Sequence, residues 1–257
     1  MATDYQRANR RSWNQLSREG SYASVPWEDD ALERPRAWLD EHDWIPWIEI
    51  GSVLVLGGGG GQQAPLFAHA GYRTTVVDLS PEQLLRDKEV SEQLGVELEC
   101  LEGDMCDLSM LRGRAFDLVY QPPSTCYVPE VRSCYREVAS VLRPRGVYFA
   151  QHWSPVQMQV ADHAWDGSAY RLDWPVSDHR PRKRQALEGS SAACWHYVHS
   201  FHDLLGGLCE TGFTIEEFAE QGPSDLRQSA GSAAHVGAFF PTFLVVLARM
   251  REAREGS

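Results

Sequence analysis

Positive charge is scarce in this chain: 24 lysines and arginines stand against 36 aspartates and glutamates, a net charge of −12 over 257 residues. A surface that reads phosphate needs a basic face, so a broad nucleic-acid footprint is disfavoured and no nucleic-acid partner is expected. The one basic cluster, Arg180, Arg182, Lys183 and Arg184, reads as a solvated loop. Long hydrophobic runs are missing too. The longest, Phe239 to Ala248, is interrupted by Pro241 and is too short to span a bilayer, which predicts no membrane partner. No charged-then-apolar leader opens the sequence, so a cytoplasmic protein is expected. The six cysteines (Cys100, Cys106, Cys126, Cys134, Cys194 and Cys209) include no C-x-x-C pair. That removes a zinc ribbon and a thioredoxin-type redox site, leaving reduced thiols and no metal site as the expectation. Internal repeats are absent. What remains is ordinary globular composition, with 43% hydrophobic and 23% charged residues, at a length that suits one α/β domain with insertions.

The first fifty residues are rich in tryptophan and charge. Helices are expected over Tyr5–Arg18 and from about Asp30 to Glu41, laid as an N-terminal cap over residues 1–50. From Gly51 the pattern becomes regular. Val53–Leu56 is an apolar run ending in glycines, as for a strand buried on both faces. A helix over Gln62–Ala70 stops at Gly71, and Thr74–Val77 is a second strand closed by Asp78. Ser80 and Pro81 are the N-cap and first position of a helix reaching Leu94. Further strands are expected over Val96–Leu101, Phe116–Tyr120 and Val147–Ala150, with a helix over Val131–Leu142 between the last two. This alternation predicts right-handed crossovers and a parallel sheet with helices on both faces. The rhythm lapses from His152 to about Ser200, a tryptophan- and proline-bearing insertion expected to cover the site. A helix over Ser200–Thr211 and strands over Phe213–Phe218 and Thr242–Ala248 complete the chain, the strands as an antiparallel hairpin. The core is therefore divided into residues 51–151 and 201–257 of one domain.

Five successive glycines, Gly57 to Gly61, sit between a strand and a helix, where a backbone without Cβ atoms can approach a nucleotide-type ligand. A dinucleotide fingerprint needs a third glycine three residues after the second. Gln62 and Gln63 occupy that place, so a nicotinamide cofactor is disfavoured. No Lys-Ser or Lys-Thr follows, which excludes a P-loop. Asp78 ends the next strand 21 positions after Gly57, where a carboxylate can accept both hydroxyls of a ribose.

These segments, with Glu102-Gly103-Asp104-Met105, Phe116–Tyr120 and the turn Arg143-Pro144-Arg145-Gly146, resemble in order and spacing the motifs of class I S-adenosylmethionine-dependent methyltransferases. The resemblance is close over Gly51–Gln151 and looser over the last two strands. It implies a Rossmann-like, seven-stranded, mostly parallel sheet with an antiparallel final strand. It also implies S-adenosylmethionine as cofactor and S-adenosylhomocysteine as product. By the same resemblance Gly57, Gly59 and Gly61 hold the methionine part, Asp78 the ribose, Leu79 the adenine, and Asp104 the adenine amino group with Met105 beside the ring. Gln121 borders both cofactor and substrate. Many family members carry an acid two residues before the first glycine. Val55 stands there, so the cofactor's amino group needs another acceptor, and Gln62 and Gln63 are the candidates.

The donor is already activated, so the protein mainly aligns an acceptor and excludes water. His152, at the end of the fifth strand, is the candidate general base. Tyr22, Trp153, His196 and Tyr197 are candidate substrate contacts. Trp13 is an aromatic that core packing explains more simply. His196, His199 and His202 lack a carboxylate partner and make a weak metal set. Cap and insertion together favour an enclosed pocket and methyl transfer to oxygen or nitrogen of a small metabolite. The competing reading is a protein that binds the cofactor as a regulator or scaffold without transferring the methyl group.

Overall fold

The computed structural model describes residues 3–21, 27, 29–185 and 192–252. Its centre is a seven-stranded sheet formed by β1 (Ser52–Leu56), β2 (Arg73–Asp78), β3 (Glu99–Glu102), β4 (Phe116–Gln121), β5 (Leu142–Trp153), β10 (Phe213–Gln221) and β11 (Phe243–Met250). The spatial order is β3-β2-β1-β4-β5-β11-β10. β1 to β5 run parallel, while β11 is antiparallel to both β5 and β10. The expected seven-stranded, mostly parallel sheet with a closing hairpin is thus present.

Alternation along β1 explains its unbroken apolar text. Leu54 and Leu56 enter one hydrophobic layer with Tyr135, Tyr148 and Val246, and Val53 and Val55 enter the other with Phe67, Tyr120 and Phe149. A strand buried on both faces has no polar side to show. The helices α4 (Gln63–His69), α5 (Pro81–Leu94), α6 (Val131–Val141) and α8 (Gly207–Glu210) flank the sheet. Ser80 caps α5 by accepting the Gln83 N–H at 3.2 Å, and Gly95 ends it in the left-handed region at φ 66°. At the far end of the strands, the Asp117 carboxylate accepts N–H bonds from Gly51 (3.0 Å) and Ser52 (2.8 Å), tying β4 to β1.

Several expectations differ in detail. The cap helix expected to run from Asp30 to Glu41 is two short helices, α2 (Asp29–Glu33) and α3 (Pro35–Leu39), because Pro35 cannot continue the first and instead starts the second. The helix over 200–211 opens as a wide π-helical turn, His202–Gly206, before α8. The His202 ring lies against Gly206, where a Cβ would come within 2.8 Å of Nδ1. β5 begins earlier than expected, at Leu142, with Arg145 in the left-handed region at φ 63° where the chain turns into the sheet.

The insertion after β5 contains α7 (Pro155–Gln159) and two hairpins, β6 (Val160–Trp165) with β7 (Tyr170–Leu172), and β8 (Arg182–Gln185) with β9 (Ala193–His196). Its basic cluster is structural. Arg180 pairs with Asp178 at 2.8 Å, Arg182 with Asp173 at 3.2 Å, and Arg184 donates to the Met158 carbonyl at 2.8 Å. Over the sheet's C-terminal edge lies α1 (Asp4–Arg18). Asn9 holds it to β9 by accepting the Trp195 N–H at 2.7 Å and donating to the Trp195 carbonyl at 3.1 Å. Among the described residues, no helix is long and apolar enough to cross a membrane.

Candidate active site

A cavity of about 430 Å³ opens at the C-terminal ends of the parallel strands. It lies where β1 leads to one side of the sheet and β4 to the other, the switch point at which open α/β sheets bind ligands. Its floor is the glycine turn. Gly57 adopts φ 58°, its N–H donates to the Val77 carbonyl at 2.8 Å, and a Cβ there would come within 2.8 Å of Ser124 Oγ. A Cβ on Gly59 would come within 3.1 Å of the Asp78 carboxylate and 2.9 Å of Gln83 Cβ. The bare backbone at these two positions leaves a cradle that any side chain would fill.

Asp78 opens onto this cradle and is enclosed by protein elsewhere. Its Oδ2 accepts from Gly59 N–H at 3.1 Å and its Oδ1 from Ser80 N–H at 2.8 Å. Burial raises its pKa above the usual carboxylate range, against these backbone bonds, which lower it. Asp104 Oδ1 accepts from Cys106 N–H at 2.9 Å, while Oδ2 accepts from the Gln6 amide of α1. Leu79, Met105, Gln62 and Gln63 also line the cavity. The expected nucleotide-facing residues are therefore gathered in one place by the tips of β1, β2 and β3.

Four of the expected cofactor and substrate positions do not reach the cavity. Gly61 is buried against Val90, with its N–H donated to Asp87 Oδ1 at 2.7 Å, so it shapes the turn behind the cradle. Gln121 is fully buried, accepts from the Tyr148 hydroxyl and donates to Ser124 Oγ at 2.9 Å. It supports Met105 and Ser124 from beneath rather than bordering a ligand. His196 is buried, with Nδ1 3.1 Å from the Cys194 carbonyl and its ring 4.9 Å from that of Tyr127. Tyr197 is buried behind Tyr5, in an edge contact at 5.9 Å.

His152, the expected base, does not reach the cavity either. Gln151 and Trp153 line the cavity; His152, between them on β5, points to the opposite face because side chains alternate along a strand. It is wholly buried, 2.9 Å from Thr125 Oγ1 and 3.4 Å from the Tyr135 hydroxyl, and burial pushes its pKa down to about 3. The remaining histidines are dispersed as well. His199 is buried on the Thr125 carbonyl at 3.0 Å and His202 is exposed. Tyr22 lies outside the described residues.

Trp13, which core packing was expected to explain, instead lines the cavity from α1, together with Tyr5 and Asn9, which were not singled out from the sequence. Trp27, Tyr127, Gln151 and Phe243 complete the substrate side with Trp153. The signal for the α1 residues was present: positions 5, 9 and 13 recur every four residues and share one helix face. Trp13 pairs edge-on with Tyr127 at 5.6 Å, and Trp153 packs on Phe243 at 4.7 Å. The cavity is thus acidic toward β2 and β3 and aromatic toward β5 and β11. Among its described lining residues there is no lysine, arginine or histidine. Carboxylates and ring faces suit a cationic sulfonium and offer nothing to a pyrophosphate.

The sheet order and the glycine cradle define an α/β fold that holds an adenosyl cofactor at its switch point. Comparison with known proteins narrows this. Residues 54–150 match a family model described as a methyltransferase domain, Methyltransf_11. The uncharacterized methyltransferase YbaJ of Bacillus subtilis (strain 168) is 26% identical over 228 residues, covering 82% of this chain and 89% of its own length. Cycloartenol-C-24-methyltransferase of Arabidopsis thaliana is 27% identical over 154 residues, 57% of this chain and 45% of its own. An S-adenosylmethionine dependent methyltransferase from Mesorhizobium loti shares the fold with a TM-score of 0.62 at 23% identity, covering 85% of this chain and 99% of that one. The chain is a class I S-adenosylmethionine-dependent methyltransferase.

Proposed function

We propose that this enzyme transfers a methyl group to an oxygen or nitrogen atom of a small, largely apolar metabolite. The observation that carries this reading is the aromatic half of the cavity, roofed by α1 and free of basic side chains among its described lining residues. A volume near 430 Å³ falls in the range of small-molecule sites. A covered pocket admits neither a duplex nor a folded protein surface, and with a net charge of −12 polyanions are repelled. We accordingly assign no nucleic-acid or membrane partner and a cytoplasmic setting.

When bound, the cofactor supplies an activated methyl group. Asp78 would hold the ribose, Asp104 with Leu79 and Met105 the adenine, the Gly57–Gly59 backbone the methionine part, and Gln62 and Gln63 its amino group. The side chains toward β5 and β11 orient the acceptor and exclude water. Among the described lining residues there is no strong base: the ionisable groups are Asp78, Asp104, Tyr5 and Tyr127, and burial together with the Asp104 charge lifts Tyr5 to about 12. The acceptor therefore brings its own available lone pair, as a neutral amine or an easily ionised hydroxyl does. The sterol methyltransferase relatives are named for methylation at carbon, which is the competing acceptor atom.

The test is transfer of tritiated methyl from S-adenosylmethionine into a fractionated cell extract. Label is expected in the small-molecule fraction, on O or N by mass spectrometry and NMR. Label confined to RNA or protein would overturn the small-molecule reading, and label on carbon would overturn the acceptor assignment.

A further inference from the structure

Gln151 is the polar side chain set among the aromatic walls at the tip of β5. An amide side chain can present either an N–H donor or a carbonyl acceptor, and which it presents decides what it recognises. Here the choice is made from outside the cavity. Glu41, in the loop after α3, is exposed and accepts from the Gln221 Nε2 group. A carboxylate only accepts, so the Gln221 amide must turn its NH₂ toward Glu41 and its oxygen the other way. That oxygen, Oε1, accepts from Gln151 Nε2 at 3.2 Å. One N–H of Gln151 is thereby held by Gln221, which fixes the orientation of the amide, and its Oε1 has no donor among the described residues.

We infer that Gln151 selects the methyl acceptor. The relay Glu41–Gln221–Gln151 locks its amide with the carbonyl oxygen offered to the ligand, so the preferred acceptor carries an O–H or N–H donor on an otherwise apolar frame. The inference rests on the small-molecule reading of this cavity. Glu41 and Gln221 are positioning residues, since they act through Gln151. A hydroxyl acceptor gives up its proton to solvent when it is methylated and has then lost that donor, so its ether product binds less well, whereas a primary amine keeps one N–H. For a hydroxyl acceptor the same locked amide therefore favours substrate entry and product exit.

The test uses full-length enzyme saturated with S-adenosylhomocysteine and two matched probes, p-cresol and 4-methylanisole, titrated by ligand-observed NMR. One hydrogen bond corresponds to a preference of about tenfold for p-cresol in the parent enzyme. In Gln151→Leu the preference falls to about one. In Glu41→Lys, where a cation now donates to Gln221 and reverses both amides, it falls at least threefold from the parent value. S-adenosylhomocysteine affinity and Tm stay at the parent level in Glu41→Lys, which a merely structural role for the relay would not produce together with lost selectivity. Equal binding of both probes by the parent, or an unchanged preference in both variants, overturns the inference and leaves the small-molecule reading standing. Failure of both probes to saturate the cofactor-loaded parent overturns both.

Discussion

Replacing Asp78 by asparagine tests the cofactor site at its most specific point. In the structure the two carboxylate oxygens already accept from Gly59 N–H (3.1 Å) and Ser80 N–H (2.8 Å), so the group is held rigidly toward the cradle. Asparagine keeps one carbonyl oxygen and turns an NH₂ toward the other donor. It removes the charge that would bind the ribose hydroxyls. Loss of one charge-assisted bond and weakening of a second correspond to about 2–3 kcal/mol, on the order of 30- to 150-fold in Kd for S-adenosylhomocysteine. Folding should change little, because relief of the buried charge offsets the weakened backbone bonds. A Tm shift of under about 4 °C is expected, given about 2–4 °C per kcal/mol at this size. The pH dependence is diagnostic. Burial raises the Asp78 pKa, and the cofactor favours the charged form. Affinity should be flat at high pH and fall as pH drops through that raised value, and asparagine should abolish this fall. Isothermal titration calorimetry of parent and variant across pH measures both effects. A Kd within twofold of the parent, or the same acid-side loss in the variant, would refute the assignment of Asp78.

His152→Ala should impair stability rather than transfer. Deleting a fully buried ring costs about 3 kcal/mol, roughly 6–12 °C in Tm, with kcat within about twofold of parent. The folded His152 pKa is held near 3, below its ordinary 6.5. Its stabilising contribution is therefore complete above 6.5 and is lost as pH falls from 6.5 toward 3, a loss that thermal melts should show in the parent and not in the variant. A large fall in kcat with unchanged Tm would contradict this. Asp87 is the converse case. It is buried, accepts from Gly61 N–H at 2.7 Å through Oδ1, and its Oδ2 has no partner among the described residues. Burial raises its pKa well above 3.8. A raised acid contributes its full stability below the ordinary value and loses it as pH rises through the folded one. Asp87→Asn has no proton to lose, so its Tm should decline less than the parent's between pH 5 and 9, as followed by differential scanning fluorimetry; parallel curves would refute the buried-charge argument.

The acidic half of the site was legible in the sequence because local rules place it. A glycine run after a buried strand, an acid closing the next strand, and Gly103-Asp104-Met105 beyond the third each sit at a strand tip. Parallel strands bring their tips together whatever else the chain does. The substrate half was not legible to the same degree. His152 looked like the residue at the mouth of β5, but β5 is buried on both faces, so its text carries no alternation to tell which side chains point inward. His196 and Tyr197 lie beside the pocket in the chain's path, yet Tyr127 and Tyr5 stand in front of them.

By itself, the sequence determined the strands, the mostly parallel sheet they form and the kind of ligand its acidic tips can hold, since periodicity and turn chemistry act over a few residues. Only the tertiary structure decided which groups meet the methyl acceptor. That wall is assembled from α1, β5, β11 and the loop after β4, segments far apart in the chain, and their facing side chains are chosen by long-range packing. The relay from Glu41 through Gln221 to Gln151 spans 180 positions in its longer step, and no local pattern of residues encodes it.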